Sequence, residues 1–270
     1  MKDPLLRVTD LKTYFTSKGP GLLSKEKIIR AVDKVSFDIA HGEVLSLVGE
    51  SGCGKTTVGR TLTQLEKVTS GQALFNGLNI LSLTSAQFRP LRRDIQMIFQ
   101  DPFASLNPRL RIEQTLGEPL FIHGLCRTWD AARTKIASIL ETVGMDPNVM
   151  KRFPYEFSGG QRQRIGIARV MILEPKLVIA DEAVSALDVS IQAQVLNLIK
   201  KLQRESGVSM LFISHDLGVV RHISDRVAVM FEGKIVEIGD KQEIFREPKH
   251  SYTRKLLNAI PKITVGKEVA

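Results

Sequence analysis

The segment Gly49-Glu50-Ser51-Gly52-Cys53-Gly54-Lys55-Thr56 constrains this chain more than any other stretch. Three glycines, a lysine and a hydroxyl stand where a loop of backbone amides can close around a phosphate chain. Lys55 is then spaced to reach β- and γ-phosphates, and Thr56 to offer its hydroxyl to Mg²⁺. Such a loop needs a buried strand before it and a helix after it. Val44-Leu-Ser-Leu-Val48 reads as the strand and Thr57–Leu65 as the helix, whose N-terminus adds its positive dipole end. Cys53, flanked by glycines and two residues from Lys55, reads as a thiol in a setting that favours the thiolate.

Composition narrows the rest. At 270 residues, 43% hydrophobic and 25% charged, the chain can bury a sizeable core as one domain or a domain with a subdomain. No run approaches the roughly 18 apolar residues of a membrane span, and Met1-Lys-Asp-Pro-Leu-Leu lacks a secretory signal's apolar core, so a cytosolic chain is expected. Cys53 and Cys126 make neither a disulfide framework nor a metal cluster. The formal charge of +9 is spread along the chain, with short dense runs only at Arg89–Arg93 and Gln161–Arg164. That pattern reads as a solvated basic surface, and no nucleic acid is expected as a partner.

Alternating apolar and polar residues from Leu5 to Ala40, around a Gly/Pro/Lys-rich loop at Ser17–Lys27, predict an antiparallel front sheet. Leu177–Ala180 and Met210–Ile213 are apolar on consecutive residues, as in parallel strands buried on both faces. Ile191, Val195, Leu198 and Leu202 recur at helical spacing and read as a core stripe. From Asp101 to Phe157, Pro102, Pro108, Pro119, Pro147 and Pro154 punctuate a helical pattern through Ala131–Leu140, which predicts an inserted, mostly helical subdomain.

Three further elements carry chemistry. The strand ending at Ala180 delivers Asp181 to the carboxyl edge of the sheet, where it can hold Mg²⁺, and Glu182 follows as a group able to orient or deprotonate water. Phe157-Ser-Gly-Gly-Gln161, opening a helix from Arg162 to Leu173, is a second anion-binding helix start. Met210–Asp216 ends another strand at the same edge and brings His215 within reach of a γ-phosphate.

The order of phosphate loop, Gln100, Ser158-Gly-Gly-Gln161, Asp181-Glu182 and His215 resembles the ATP-binding cassette family over nearly the whole chain. The resemblance implies an α/β P-loop NTPase fold, with a mostly parallel core sheet, an antiparallel N-terminal sheet and an inserted helical subdomain. It implies one nucleotide-binding domain over 1–270. Within it fall a RecA-like core (1–100 and 170–232), a helical signature subdomain (101–169) and a C-terminal extension (233–270). ATP and Mg²⁺ are the implied ligands. Gly49, Glu50, Ser51, Gly52, Cys53, Gly54, Lys55, Thr56 and Thr57 are implied to bind the triphosphate. Thr56, Gln100 and Asp181 are implied to meet the metal, and Glu182 and His215 to be catalytic. Ser158, Gly159, Gly160 and Gln161 resemble a signature loop that closes over a partner subunit's γ-phosphate, and Ser185–Asp188 a loop crossing that interface. Adenine is implied to stack on Phe15, with Tyr14 as the alternative. Ala183 stands where the family usually has proline, and the turn is still expected to form.

The loop Thr16–Arg30, the stretch Gln100–Pro108 and the tail Ile244–Leu257 resemble the dipeptide/oligopeptide importer branch, most closely its second ATPase subunit. That implies a peripheral subunit on the cytoplasmic face of the inner membrane. Its implied partners are a sister ATP-binding subunit or second copy, two permeases and an extracytoplasmic solute-binding protein. The alternative class is a soluble ATPase of the same fold acting on nucleic acid or ribosomes, whose mark, a long coiled-coil insertion or a second cassette, is missing. His250 and Tyr252 read as a surface helix start, without ligand spacing for a metal, and no iron–sulfur centre is expected.

Overall fold

The computed structural model describes residues 3–17, 27–101 and 105–259. The expected loop between Ser17 and Lys27, residues 102–104 of the Gln100–Pro108 stretch, and residues 260–270 lie outside the described residues.

Two sheets are stacked. The front sheet is antiparallel, in the order β2-β1-β4-β5, from β1 (Leu6–Ser17), β2 (Lys27–Ile39), β4 (Ser70–Phe75) and β5 (Leu78–Asn79). Its alternation places Leu6, Val8, Phe37, Ile39, Ala73 and Phe75 inward. A bulge resets the phase: Asp10 takes φ +49° and the register shifts between Val8 and Leu11, so Leu11 and Thr13 become the buried residues of β1.

The core sheet runs β10-β9-β3-β8-β7-β6, from β3 (Val44–Val48), β6 (Ile95–Ile98), β7 (Leu177–Asp181), β8 (Ser209–Ser214), β9 (Arg226–Phe231) and β10 (Lys234–Asp240). All its pairings are parallel except β10 on β9. Both faces are covered, which explains the continuous apolar runs. Leu177, Ile179, Leu211 and Ile213 pack toward the front sheet, while Val178, Ala180, Met210 and Phe212 pack toward the helices. Each of these buried side chains larger than Ala180 contributes about 1.5–3 kcal/mol.

The helices are α1 (Lys55–Leu62), α2 (Ser85–Phe88), α3 (Ile112–Ile122), α4 (Trp129–Thr142), α5 (Gly159–Met171), α6 (Val189–Ser206), α7 (Leu217–Ile223), α8 (Lys241–Arg246) and α9 (Ser251–Asn258). Several ends differ from expectation. Helix α1 stops at Leu62 because Gln64 turns left-handed at φ +55°. Helix α5 begins at Gly159 instead of Arg162, because Ser158 and Gln161 cap it reciprocally and admit the glycines into the first turn. Pro119, read as a breaker, lies inside α3. Burial of Ile112, Leu116 and Leu120 in the same cluster as Ala132 and Ile136 of α4 carries that helix through its missing amide.

Tyr252 also corrects the sequence reading. It lies in the second position of α9 but is buried, its ring 4.2 Å from that of Phe231. Among the described residues no helix is long and apolar enough to cross a membrane.

Candidate functional site

Four adjacent parallel strands build the site by ending along one edge. Val48 pairs with Ser214, Ile213 with Asp181, and Ala180 with Ile98. The residues that follow each strand therefore gather: Gly49 after β3, His215 after β8, Glu182 after β7 and Gln100 after β6. Ligands of open α/β sheets bind at this carboxyl edge.

The loop after β3 is held tightly. A Cβ on Gly54 would lie 2.0 Å from the carbonyl oxygen of Ala31 in β2, and one on Gly49 2.2 Å from that of Met230 in β9, so both positions require glycine. Lys55 is 4% exposed, and its Nζ donates to the carbonyls of Gly49 and Glu50, each at 2.8 Å. The N-cap residue of α1 is Gly54, which has no side chain to cap the helix, and this helix start opens on a cleft of about 240 Å³ lined by Ser51, Gly52, Gly54, Lys55, Thr56 and Thr57, together with Ala31, Gln100 and Glu182. A helix start, a buried ammonium and backbone approached too closely for any Cβ suit a phosphate chain.

Across the cleft, Thr56 Oγ1 donates to Asp181 Oδ1 at 2.9 Å. Burial pushes the Asp181 carboxyl above the ordinary carboxylate range, opposed by the Thr56 hydrogen bond and reinforced by the charge of Glu182. Glu182 is bridged on both oxygens: Gln100 Nε2 donates to Oε2 at 2.9 Å, and His215 Nδ1 lies 3.1 Å from Oε1. The backbone of Glu182 is left-handed, at φ +46°, and its amide donates to the carbonyl of Ile213. With Ala183 buried behind it, the turn closes through Ser185 N to Glu182 O without the usual proline.

Other expected residues are placed elsewhere. Ser158, Gly160 and Gln161 line a separate hollow with Arg164 and Ile191. The Ser158 hydroxyl accepts from Gln161 N and the Gln161 Oε1 from Ser158 N. Asp188 caps α6, its Oδ1 accepting from Ile191 N at 3.0 Å; that bond first, then the one from Ser190, lowers its pKa. Tyr14 donates to Asp33 Oδ1 at 2.7 Å, while the neighbouring Phe15 is 37% exposed in the front sheet.

Three loop residues differ from the expected cradle. The amide of Glu50 donates to the Tyr252 hydroxyl at 3.1 Å, and Gly49 sits against Met230, so neither lines the cleft. Cys53 points into the core between the two sheets. Burial raises its thiol pKa, outweighing Lys55 at 3.7 Å from Sγ, which overturns the thiolate expectation. Sequence reasoning missed the carbonyls of Ala31 and Met230 as walls of the loop, and Tyr252. No short-range signal reports them, since Tyr252 lies 202 residues from its partner Glu50.

Residues 32–185 match the ABC transporter family, and residues 236–270 match the oligopeptide/dipeptide transporter C-terminal region. The glutathione import ATP-binding proteins GsiA of Pectobacterium atrosepticum and Escherichia coli K12 are each 55% identical over 260 residues, 96% of this chain. The chain spans 41% of the length of these relatives. Among solved structures, a dimeric post-hydrolysis state of the ATP-binding cassette MJ0796 bound to ADP and Pi superposes with a TM-score of 0.77, at 26% identity, over 87% of this chain and 98% of that one. CbiO1 of Clostridium perfringens, part of the ABC transporter complex cbiONQ, gives 0.77 at 27% identity, over 97% of this chain and 98% of that one.

Proposed function

The chain belongs to the ABC transporter family, and from that premise we propose that it is the ATP-hydrolysing subunit of an importer carrying peptides or a related small solute across the inner membrane. One observation carries the reading: the Glu182 carboxylate, held by Gln100 on one oxygen and His215 on the other, faces a loop whose lysine is buried and whose threonine reaches Asp181. The C-terminal match and the GsiA relatives support peptides, glutathione among them, as the cargo class.

In this reading Ser51, Gly52, Gly54 and the first turn of α1 bind the triphosphate, and Lys55 trades its two carbonyl bonds for phosphate oxygens. Among the described residues no cluster of three or more His, Cys, Asp or Glu could hold a metal by itself. Thr56, Asp181 and Gln100 would therefore share Mg²⁺ with the nucleotide, and the bound ion would neutralise charge on the phosphate oxygens. Glu182 orients the attacking water and takes its proton. Gln100 and His215 keep that carboxylate aimed into the cleft, and His215 responds to the γ-phosphate. Phe15, with its ring partly exposed while Tyr14 is engaged by Asp33, stacks on adenine.

The hollow around Ser158 shares no lining residue with the cleft around Lys55, which supports a head-to-tail pairing. Each Ser158–Gln161 loop, with the Asp188 turn, then completes the site of a sister ATPase or a second copy. A groove of about 500 Å³ between core and helical insertion, lined by Leu65, Phe99, Asn107, Leu110 and Ile122 among others, offers a permease its docking place at the cytoplasmic face. Gln100 faces the nucleotide cleft instead of this groove. The division into RecA-like core, helical signature subdomain and C-terminal extension, near residues 100, 170 and 232, follows the same reading, as does capture of solute by an external binding protein.

The test replaces Glu182 with Gln in the chain co-expressed with its membrane partners. Equilibrium ATP binding is expected to persist while phosphate release falls by a factor of about 10²–10⁴. Half of wild-type turnover would remove Glu182 from its role. Full turnover by the solitary monomer, read with sedimentation, would sink the composite site, and failure to co-purify with any membrane subunit would favour a soluble ATPase.

A further inference from the structure

The C-terminal segment reaches the phosphate loop through Tyr252. Tyr252, in the first turn of α9, accepts a hydrogen bond from the backbone amide of Glu50 at 3.1 Å. Its ring lies on Phe231, at the end of β9, and in a cluster with Val48, the last residue of the strand that feeds the phosphate loop. A buried phenol hydroxyl needs a partner, and here the partner is the second residue of that loop.

The start of α9 is itself fixed. Both carboxylate oxygens of Glu237 on β10 accept backbone amides, Lys249 N at 2.7 Å and His250 N at 3.0 Å, and His250 Nδ1 accepts from Tyr252 N at 3.2 Å. A continuous set of bonds thus runs from β10 to the phosphate loop. On the loop's other side, Lys55 Nζ holds the carbonyls of Gly49 and Glu50. Those two bonds must be given up, at least in part, when the ammonium turns to phosphate oxygens, whereas the Tyr252 bond can remain. The Glu50 amide, donating to Tyr252 and away from the cleft, is thus an anchor that does not compete with the phosphates.

We infer that Tyr252 is a positioning residue for ATP, by which the C-terminal segment holds the entrance of the phosphate loop in its binding shape. The inference rests on the reading of this cleft as an ATP site. Losing the hydroxyl leaves the loop's first peptide free to rotate, so part of the binding energy goes into ordering it again.

The variant is Tyr252→Phe, which keeps the ring on Phe231 and removes only the acceptor, with the exposed Lys255→Ala on the same helix as control. In the full chain, hydrogen exchange at Glu50 is measured without nucleotide, and ATP affinity by equilibrium titration; with the partner subunits, KM and kcat are measured separately. Expected for Tyr252→Phe are faster exchange at Glu50, ATP affinity weakened about threefold to tenfold, KM raised in step, and kcat and melting temperature near wild type. Lys255→Ala should change none of these. Unchanged exchange at Glu50, or faster exchange with unchanged ATP affinity and KM, would overturn the inference. An equal loss of melting temperature and kcat would reduce Tyr252 to a packing residue and overturn it as well. If the wild-type chain bound no ATP, the ATP reading itself would fail, while exchange at Glu50 would still report whether the Tyr252 contact exists.

Discussion

The hydroxyl of Thr56 donates to Oδ1 of Asp181 across 2.9 Å, joining the first turn of α1 to the end of β7 through two residues 125 positions apart. This bond occupies the carboxylate oxygen that a nucleotide-bound cation would compete for. It partly offsets the burial that raises the Asp181 pKa.

The raised pKa gives a signed prediction for Asp181→Asn. Between the ordinary carboxylate range and the raised value, the folded state binds more protons than the unfolded one, so wild-type stability falls as pH rises through that window. The amide does not titrate and still accepts from Thr56. Without ligand, the variant is expected to melt at or above the wild-type temperature near neutral pH, the difference shrinking as the solution is acidified. Adding ATP and Mg²⁺ should reverse the order if, as proposed, the carboxylate helps to hold the cation. Thermal scans over a pH series check both halves. A variant less stable at every pH, with and without ligand, would contradict the assignment.

The second and third glycines of the loop, Gly52 and Gly54, should respond differently to alanine. A Cβ on Gly52 would meet nothing within 4 Å, so Gly52→Ala costs only its φ of +81°, about 1–2 kcal/mol. At Gly54, φ +107° combines with a Cβ 2.0 Å from the Ala31 carbonyl oxygen, and the loop must leave its place against β2. Gly54→Ala is expected to cost at least about 3 kcal/mol in denaturant unfolding and to lose measurable nucleotide binding. Equal behaviour of the two variants would mean that Ala31 does not form the loop's wall.

Cys53 should be a poor target for thiol reagents. Its Sγ is buried in the inter-sheet core, and burial raises its pKa. In native protein, maleimide is expected to label it slowly, with or without nucleotide, and fast labelling should appear only with unfolding. Rapid labelling that ATP suppresses would show instead that the thiol reaches the phosphate cleft.

Breaking either support of Glu182 should lower turnover without removing ATP binding. For His215→Ala the expected loss is about 10²-fold, because the carboxylate keeps only its Gln100 bond. The readout is phosphate release by the chain co-expressed with its proposed partners, beside nucleotide affinity in the isolated chain. A parallel loss of affinity would make His215 a binding residue.

Much of this architecture was legible along the chain, because the physics that sets it is local or periodic. Glycine spacing, a strand before and a helix after mark a phosphate loop wherever they occur together. Consecutive apolar residues at Leu177–Ala180 and Met210–Ile213 mark strands covered on both faces, and these strands deliver Asp181, Glu182 and His215 to one edge. The pairing order did the rest, bringing Gln100, Glu182 and His215 into one hydrogen-bonded group from three strand ends that no periodicity connects. Tertiary packing alone decided which way the loop's groups point. Sequence proximity put Cys53 beside Lys55 and suggested a thiolate, but desolvation in the core outweighs that single charge. The tail read as a surface helix start, yet the apolar cluster around Val48 and Phe231 buries Tyr252 and turns its hydroxyl onto the Glu50 amide. Such contacts depend on shape and dielectric at points far apart in the chain, and only the folded arrangement supplies both.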